Sequence, residues 1–283
     1  MRTYVSVKFP LLDAKGAVTA VAGISTDITE QLRAQKLEDE LLLGSAFQQK
    51  LFPKAAPLLL GLEIAGAARP VAKLCGDYYD FIVRGRERIV LAVGDVSGHG
   101  TGPALAMMEV RAILRGLLSQ QTNVDLPQVL QELNRLLAAD LPEGAFVSLF
   151  LAKIDMAQRS IRYAGAGHEA MLIRAGQRVM NIDSTGPVLG LFDDVKFVDV
   201  PPLAVREGDV LFICTDGVTE AMNPHFDMYG RQRLTDYLAK SSWKSPSEII
   251  QSLFTEVVEF SSGQPISDDM TAVVAKIGDQ QVA

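Results

Sequence analysis

An almost wholly apolar stretch, Arg88-Ile89-Val90-Leu91-Ala92-Val93, gives out on a carboxylate in Gly94-Asp95-Val96-Ser97-Gly98-His99-Gly100. Such a run, rich in β-branched residues, reads as a buried strand. The segment from Pro103 to Val110 reads as a helix with proline in its first turn. Asp95 thus stands at a strand end, beside a turn whose glycines let backbone approach a ligand closely. Alone, it could be a turn or cap carboxylate. The arrangement recurs, however. Val210–Thr215 is a second apolar run, ending at Asp216-Gly217. Ser267-Asp268-Asp269-Met270-Thr271 leads into a third, Ala272–Ile277, and Asp77 opens a fourth within Cys75-Gly76-Asp77-Tyr78-Tyr79-Asp80. Carboxylates at the ends of several strands can converge on one sheet edge, where they repel unless a cation lies between them. An all-oxygen donor set suits Mg²⁺ or Mn²⁺ rather than zinc.

Taken in order, Asp95-Val96-Ser97-Gly98-His99-Gly100, Thr215-Asp216-Gly217-Val218-Thr219-Glu220-Ala221 and Asp268-Asp269-Met270-Thr271 resemble the metal-binding motifs of the metal-dependent protein phosphatases, the PPM family. Asp77, Tyr79 and Asp80, with Tyr163–His168 and Thr185–Gly190, narrow the resemblance to the bacterial SpoIIE/RsbU-type branch. It covers roughly residues 47 to 277. The resemblance implies an α+β fold, an α/β/β/α sandwich of two antiparallel sheets flanked by helices. It implies two divalent cations, Mn²⁺ or Mg²⁺. Their ligands would be Asp77, Asp95, the Val96 carbonyl, Asp216, Asp268 and Asp269, with Asp95 bridging and Asp77 an outer ligand. Asp95, Asp216 and Asp268 would be the catalytic set. Asp268 matches the ligand position, and Asp269 stands where the wider family often has Asn. The implied activity is hydrolysis of phosphoserine or phosphothreonine on a regulatory protein such as an anti-sigma-factor antagonist. A catalytically silent scaffold binding such a regulator is the alternative.

Other features bound the rest. The chain has 283 residues, enough for one large domain and extras. Its net charge of −7 disfavours a nucleic-acid partner, and with it a metal-dependent nuclease. Two distant cysteines, Cys75 and Cys214, suggest a reduced cytoplasmic setting without a disulfide framework. No apolar run approaches the roughly 20 residues of a membrane span, so no membrane attachment is expected.

Residues 3–9 and 17–25 read as two strands around the turn Asp13-Ala14-Lys15-Gly16. A lone hairpin is marginal in water. With Thr26–Glu30, residues 1–26 resemble the last strands and exit motif of a PAS sensor domain. A helix is expected over 27–53, capped by Thr26 or Asp27, with Glu30 placed for a capping box. Its positions 34, 37, 41, 44, 48 and 51 follow a heptad, so a homodimeric coiled coil over 27–52 is expected, ended by Pro53. The SpoIIE-like domain is expected over 54–278. Helices are expected over 103–119, 126–139, 229–240 and 246–260, the last capped by Ser245, with a polar separator at 119–123. Strands are expected over 62–69, 78–84, 146–154 and 196–200, with a meander over 161–166, 170–174 and 179–182. Clustering of strands and helices, rather than strict alternation, favours α+β.

Three histidines invite catalytic readings. His99 lies two residues beyond the position at which the wider family carries a His, so a turn role is favoured for it. His168 follows Gly165-Ala166-Gly167, where the branch usually shows Asn-Ala-Gly-His, and a buried structural role is expected. His225 sits in a polar loop with no role assigned. Cys75 replaces a customary Gly and reads as a small-residue substitution rather than a redox thiol. Arg69 could meet substrate phosphate or simply be solvated.

Overall fold

The apolar strands sort into two five-stranded antiparallel sheets, one ordered β10-β7-β6-β5-β4 and the other β3-β12-β11-β8-β9. The computed structural model describes residues 2–120, 124–175 and 178–279. The chain divides into two compact units between Phe47 and Gln48.

In the N-terminal unit, β1 (Tyr4–Leu12) and β2 (Val18–Asp27) pair antiparallel. The turn is held by Asp13, whose Oδ1 accepts the N–H groups of Lys15 and Ala17. Val7, Phe9 and Ile24 share one face of the hairpin and stay exposed. Helix α1 (Thr29–Gln49) starts one residue after Ile28. Asp27 Oδ1 accepts from the N–H and hydroxyl of Thr29, but Glu30 pairs with Arg33 instead of closing the expected capping box. The helix ends at Gln49, ahead of Pro53, and the Leu51 N–H turns back onto the Gln48 carbonyl.

The larger unit contains β3 (Leu62–Arg69), β4 (Tyr78–Val83), β5 (Arg88–Val96), α2 (Thr101–Gln120), α3 (Leu126–Asp140), β6 (Val147–Asp155), β7 (Ser160–Ala166), β8 (Ala170–Ile173) and β9 (Val179–Ile182). Then come β10 (Leu203–Ala204), β11 (Val210–Cys214), the single turn α4 (Asp216–Thr219), α5 (Gly230–Ser241), α6 (Pro246–Ser261) and β12 (Met270–Ile277). Strand alternation builds the layers. Ile89, Leu91 and Val93 of β5 face Leu211 and Ile213 of β11 and Val273 and Ala275 of β12 between the sheets. Val90 and Ala92 face outward onto Met107, Val110 and Leu114 of α2 and Leu130 and Leu133 of α3. Phe212, Ala272 and Val274 meet Leu234 and Leu238 of α5 and Leu253 and Val257 of α6. The result is the α/β/β/α sandwich.

Three local expectations are corrected. The meander does not form, because β7 and β8 lie in different sheets. The chain crosses between them at Gly167, whose φ of 63° and close approach to Val188 leave no room for a Cβ. Lys196–Val200 is not a strand. The backbone bond described for it is Val198 N–H to the Thr185 carbonyl, and Pro201 and Pro202, which have no N–H, follow it before β10. The separator at 119–123 falls inside α2 at its start, and 121–123 lie outside the described residues. Ser245 does cap α6, in a reciprocal capping box with Glu248.

Helix α2 is fixed to its sheet by an ion pair between the half-exposed Arg115 and the buried Asp80. Arg115 donates from Nε to Asp80 Oδ2 at 2.6 Å and from Nη2 to Oδ1 at 2.7 Å. The Tyr78 hydroxyl donates to the same carboxylate at 3.0 Å. Asp80 is fully buried, so losing it strands these donors. Asp80→Ala should cost about 2 kcal/mol or more, allowing for the half-exposed Arg115, and lower the urea midpoint accordingly. An unchanged midpoint would show that the clamp contributes nothing net.

Candidate active site

Strand parity delivers the carboxylates to one end of the inter-sheet layer. Asp95 follows Ile89, Leu91 and Val93 on the inward face of β5, at its C-terminal end. Asp77 has the inward parity of Tyr79 and Phe81 in the adjacent β4, which starts at Tyr78 and pairs Tyr78 with Gly94. From the opposite sheet, Thr215 continues the inward parity of Leu211 and Ile213. Its hydroxyl donates to Asp77 Oδ2 at 2.8 Å, tying the two sheets together. Asp216 follows at once as the first residue of α4. Asp268 and Asp269 precede β12, the neighbour of β11.

One glycine is required by the approach. A Cβ on Gly76 would make ordinary contacts, 3.4 Å from the Val96 carbonyl oxygen and 3.6 Å from Asp95 Oδ1, which shows how near the two loops lie. One on Gly217 would lie 2.0 Å from the Asp269 carbonyl oxygen, an impossible contact. Asp269 is buried and spends its carboxylate on backbone: Oδ1 accepts the Val71 N–H and Oδ2 the Gly76 N–H, both at 2.8 Å. It therefore fixes the loop that leads into Asp77. Asp268, half-buried, accepts the Asp269 N–H through Oδ1.

The electrostatics are those of a crowded anionic cluster. Burial, then the charges of Asp216 and Asp268, push the Asp95 pKa up to about 7. Burial and then Asp95 push Asp77 well above the usual carboxylate range, and burial with Asp216 and Asp269 raises Asp268. Asp95 and Asp216 line one cavity of about 440 Å³, walled by Ser148, His168, Cys214 and the apolar Phe146, Val188 and Met228. Asp77, Asp268 and Asp269 are not on its wall. Among the described residues, no group of three His, Cys, Asp or Glu side chains is drawn together closely enough to hold a metal ion as it stands. Like charges favour that spread, and the all-oxygen, mutually repelling donors are the chemistry a hard divalent cation relieves.

The histidines divide as their positions suggest. His168 is buried, with Nδ1 2.9 Å from the Ser148 hydroxyl, and burial pulls its pKa down to about 4. It is a neutral brace between β6 and the crossover. His99 is exposed, and its charge tends to lower the pKa of Asp268. The His225 N–H is tied to Asn223 in an exposed loop. Arg69 is exposed at the end of β3, paired with Met270.

Gln48, which the heptad pattern puts in a helix seam, lies elsewhere. It is buried, and its amide grips the Cys75 backbone from both sides: Nε2 donates to the Cys75 carbonyl at 2.7 Å, and the Cys75 N–H donates to Oε1 at 2.9 Å. The loop before Asp77 is thus held by Gln48 at one residue and by Asp269 at the next. A glutamine among leucines was the sequence signal for this, and it was masked by fitting the heptad.

The profile of the family described as "Stage II sporulation protein E (SpoIIE)" matches residues 85–278. The chain belongs to the SpoIIE family. It is 26% identical over 244 residues to the phosphoserine phosphatase RsbU of Bacillus subtilis (strain 168), covering 86% of this chain and 71% of RsbU. It is 27% identical over 273 residues to the protein IcfG of Synechocystis, covering 86% of this chain but 43% of IcfG, so it spans less than half of that relative. Among solved structures, the SiaA-PP2C domain of Pseudomonas aeruginosa superposes with a TM-score of 0.77 at 21% identity, covering 87% of this chain and 99% of that domain. The PP2C domain of SpoIIE from Bacillus subtilis gives 0.67 at 23% identity, over 78% of this chain and 64% of that one. These structures establish the PP2C sandwich as the fold.

Because the folded Asp95 pKa lies above its unfolded value, its stabilising protonated form is complete below about pH 4 and is lost as the pH rises through about 7. In chelator, Asp95→Asn should therefore melt at or above the parent at pH 8, and the advantage should shrink toward pH 5. Melting curves at the two pH values check this; a variant melting below the parent at pH 8 contradicts the repulsion.

Proposed function

We propose that this SpoIIE-family chain is a metal-dependent protein serine/threonine phosphatase acting on a phosphorylated regulatory protein. The observation that carries the reading is that Asp95 and Asp216, brought from different sheets, share one cavity wall, where burial and then the charges of Asp216 and Asp268 raise the Asp95 pKa. Asp95, Asp216, Asp268 and the Val96 carbonyl would hold two divalent cations, Mn²⁺ or Mg²⁺, with Asp77 as an outer ligand. The grip of two backbone N–H groups on Asp269 favours Asp268 as the direct ligand of that pair. Bound cations would supply Lewis-acid chemistry at phosphorus, activating water and neutralising phosphoryl charge.

The chain's own residues prepare that chemistry. Phe146, Val188 and Met228 give the cavity apolar walls that limit water. Thr215 and Asp269 hold Asp77 and its loop in place before substrate arrives. Arg69, paired with Met270 beside the Asp268-Asp269 step, would be the cation available to substrate phosphate. A cysteine-based route is disfavoured. Burial is the main cause that pushes the Cys214 thiol up to about 12 and the Cys75 thiol higher still, so neither is a ready nucleophile.

The likeness to the phosphoserine phosphatase RsbU supports phosphoserine as the target, and we read the substrate as a regulatory phosphoprotein of the anti-sigma-factor-antagonist kind. Two free cysteines support work in a reducing compartment such as the cytoplasm, and among the described residues no helix is long and apolar enough to cross a membrane. We read residues 1–26 as the end of a PAS-type sensor and α1 as the linker, dimerising through Leu37 and Leu41.

Turnover of a phosphoserine peptide should require Mn²⁺ or Mg²⁺ and stop in excess EDTA. Asp95→Asn and Asp216→Asn should each remove at least about 99% of kcat/KM while the fold persists. Cys75→Ser should keep near-parent rates. Undiminished turnover in EDTA, or near-full activity of either Asn variant at saturating Mn²⁺, refutes the assignment. For the linker, Leu37→Lys with Leu41→Lys should lower the light-scattering mass and alter the phosphatase rate; a parent that is already monomeric removes the dimer from the scheme.

A further inference from the structure

The loop between α4 and α5 carries an aromatic side chain where backbone geometry does not favour one. Phe226 has φ of 64° and is 83% exposed. A bulky residue in the left-handed region is an outlier that the surroundings must impose. Here the loop is over-determined. Asn223 Oδ1 accepts the N–H groups of His225 and Asp227, its Nδ2 donates to Asp227 Oδ2, and its own N–H donates to the Asp227 carbonyl. The Phe226 N–H closes on the Asn223 carbonyl, and Met222 pairs with Met228 across the loop. At the base, Tyr229 is buried, and Arg233 donates to the Met228 and Tyr229 carbonyls at 2.9 Å.

The loop is therefore rigid, and it holds three apolar side chains toward water: Met222 at 39%, Phe226 at 83% and Met228 at 48% exposure. Rigid exposed apolar groups with little entropy left to lose are the elements that anchor a partner. Its location selects the partner. Met228 lines the same cavity as Asp95 and Asp216. A phosphorylated residue that reaches those carboxylates must bring its flanking chain across the rim that Met228 occupies, and Phe226 lies two residues away on the same loop.

Resting on the phosphatase reading, we propose that residues 222–228 form a substrate-docking element, with Phe226 seated against apolar side chains that flank the phosphorylated serine or threonine of the protein substrate. The element determines specificity and takes no part in the chemistry. It separates apolar-flanked phosphoprotein segments from small phosphoesters and from phosphorylated segments with polar flanks.

The test uses the full chain with Mn²⁺ and three probes: p-nitrophenyl phosphate and two phosphoserine peptides of equal length, one flanked by leucines and the other by serines. The parent should favour the leucine-flanked peptide by about tenfold in kcat/KM, the worth of a partly buried aromatic contact. Phe226→Gly should reduce that preference to about twofold or less and leave p-nitrophenyl phosphate within about twofold of the parent, because the glycine touches no catalytic group. Its melting temperature should hold or rise, since glycine relieves the positive φ. Phe226→Leu should keep much of the preference. No preference in the parent, a preference untouched by Phe226→Gly, or a parallel fall on p-nitrophenyl phosphate overturns the docking role. So does a loss of dimer mass in Phe226→Gly, which would make the loop a contact between copies. Failure of the parent to hydrolyse any probe with Mn²⁺ instead overturns the phosphatase reading on which this rests.

Discussion

Desolvation and crowding of carboxylates at one end of the inter-sheet layer are the constraint on which the rest of the domain depends. Burial and neighbouring charge raise the pKa of Asp77, Asp95 and Asp268 together. Left to relax, these groups would separate or take up protons. They are held by neutral donors from elsewhere: the Thr215 hydroxyl on Asp77, and backbone N–H groups of Val71 and Gly76 on Asp269. The stability given up at the cluster is offset by the three apolar layers around it. Local conflict inside a consistent fold is the pattern expected of a functional site.

Much of this was readable from residues alone, because the signals were physical and local. Apolar runs ending on Asp95 and Asp216 specify buried strands with a charge at one tip. Period-2 alternation then puts Asp77, Asp95 and Thr215 on inward faces whatever the sheet order. Helices α2, α3, α5 and α6 carry apolar stripes, α3 and α6 also have side-chain caps at Asp125 and Ser245, and all four lie within two residues of their expected boundaries. The two-sheet sandwich came from the motif resemblance rather than from the strand pattern, since alternation says nothing about which strands pair.

What escaped was tertiary. The succession of short strands after residue 160 looks like a meander because hairpin signals are local. Only the sandwich shows that the chain changes sheets at Gly167, whose missing side chain makes room for Val188. Lys196–Val200 has strand composition but no neighbour to pair with along its length. Gln48 fits a heptad by spacing, yet a buried amide must satisfy both its donor and its acceptor, and the Cys75 backbone does that. Asp269 is adjacent to Asp268 in sequence but spends its carboxylate on backbone N–H groups of a loop nearly two hundred residues upstream.

The position of β12 has a consequence for how the protein comes into being. This strand, the last of the two sheets in chain order, lies between β3 and β11 and pairs with both along its length. Until residue 277 has left the ribosome, β3 and β11 have no partner on their facing edges, and the acidic step at 268 and 269 is missing from the cluster. Partly synthesised chains therefore have an open sheet and an incomplete site, and the final closure joins contacts of very long sequence separation, the slow kind. A nascent chain of this architecture lacks part of its acidic cluster until β12 emerges, and until then it presents two apolar strand edges that a chaperone would have to shield.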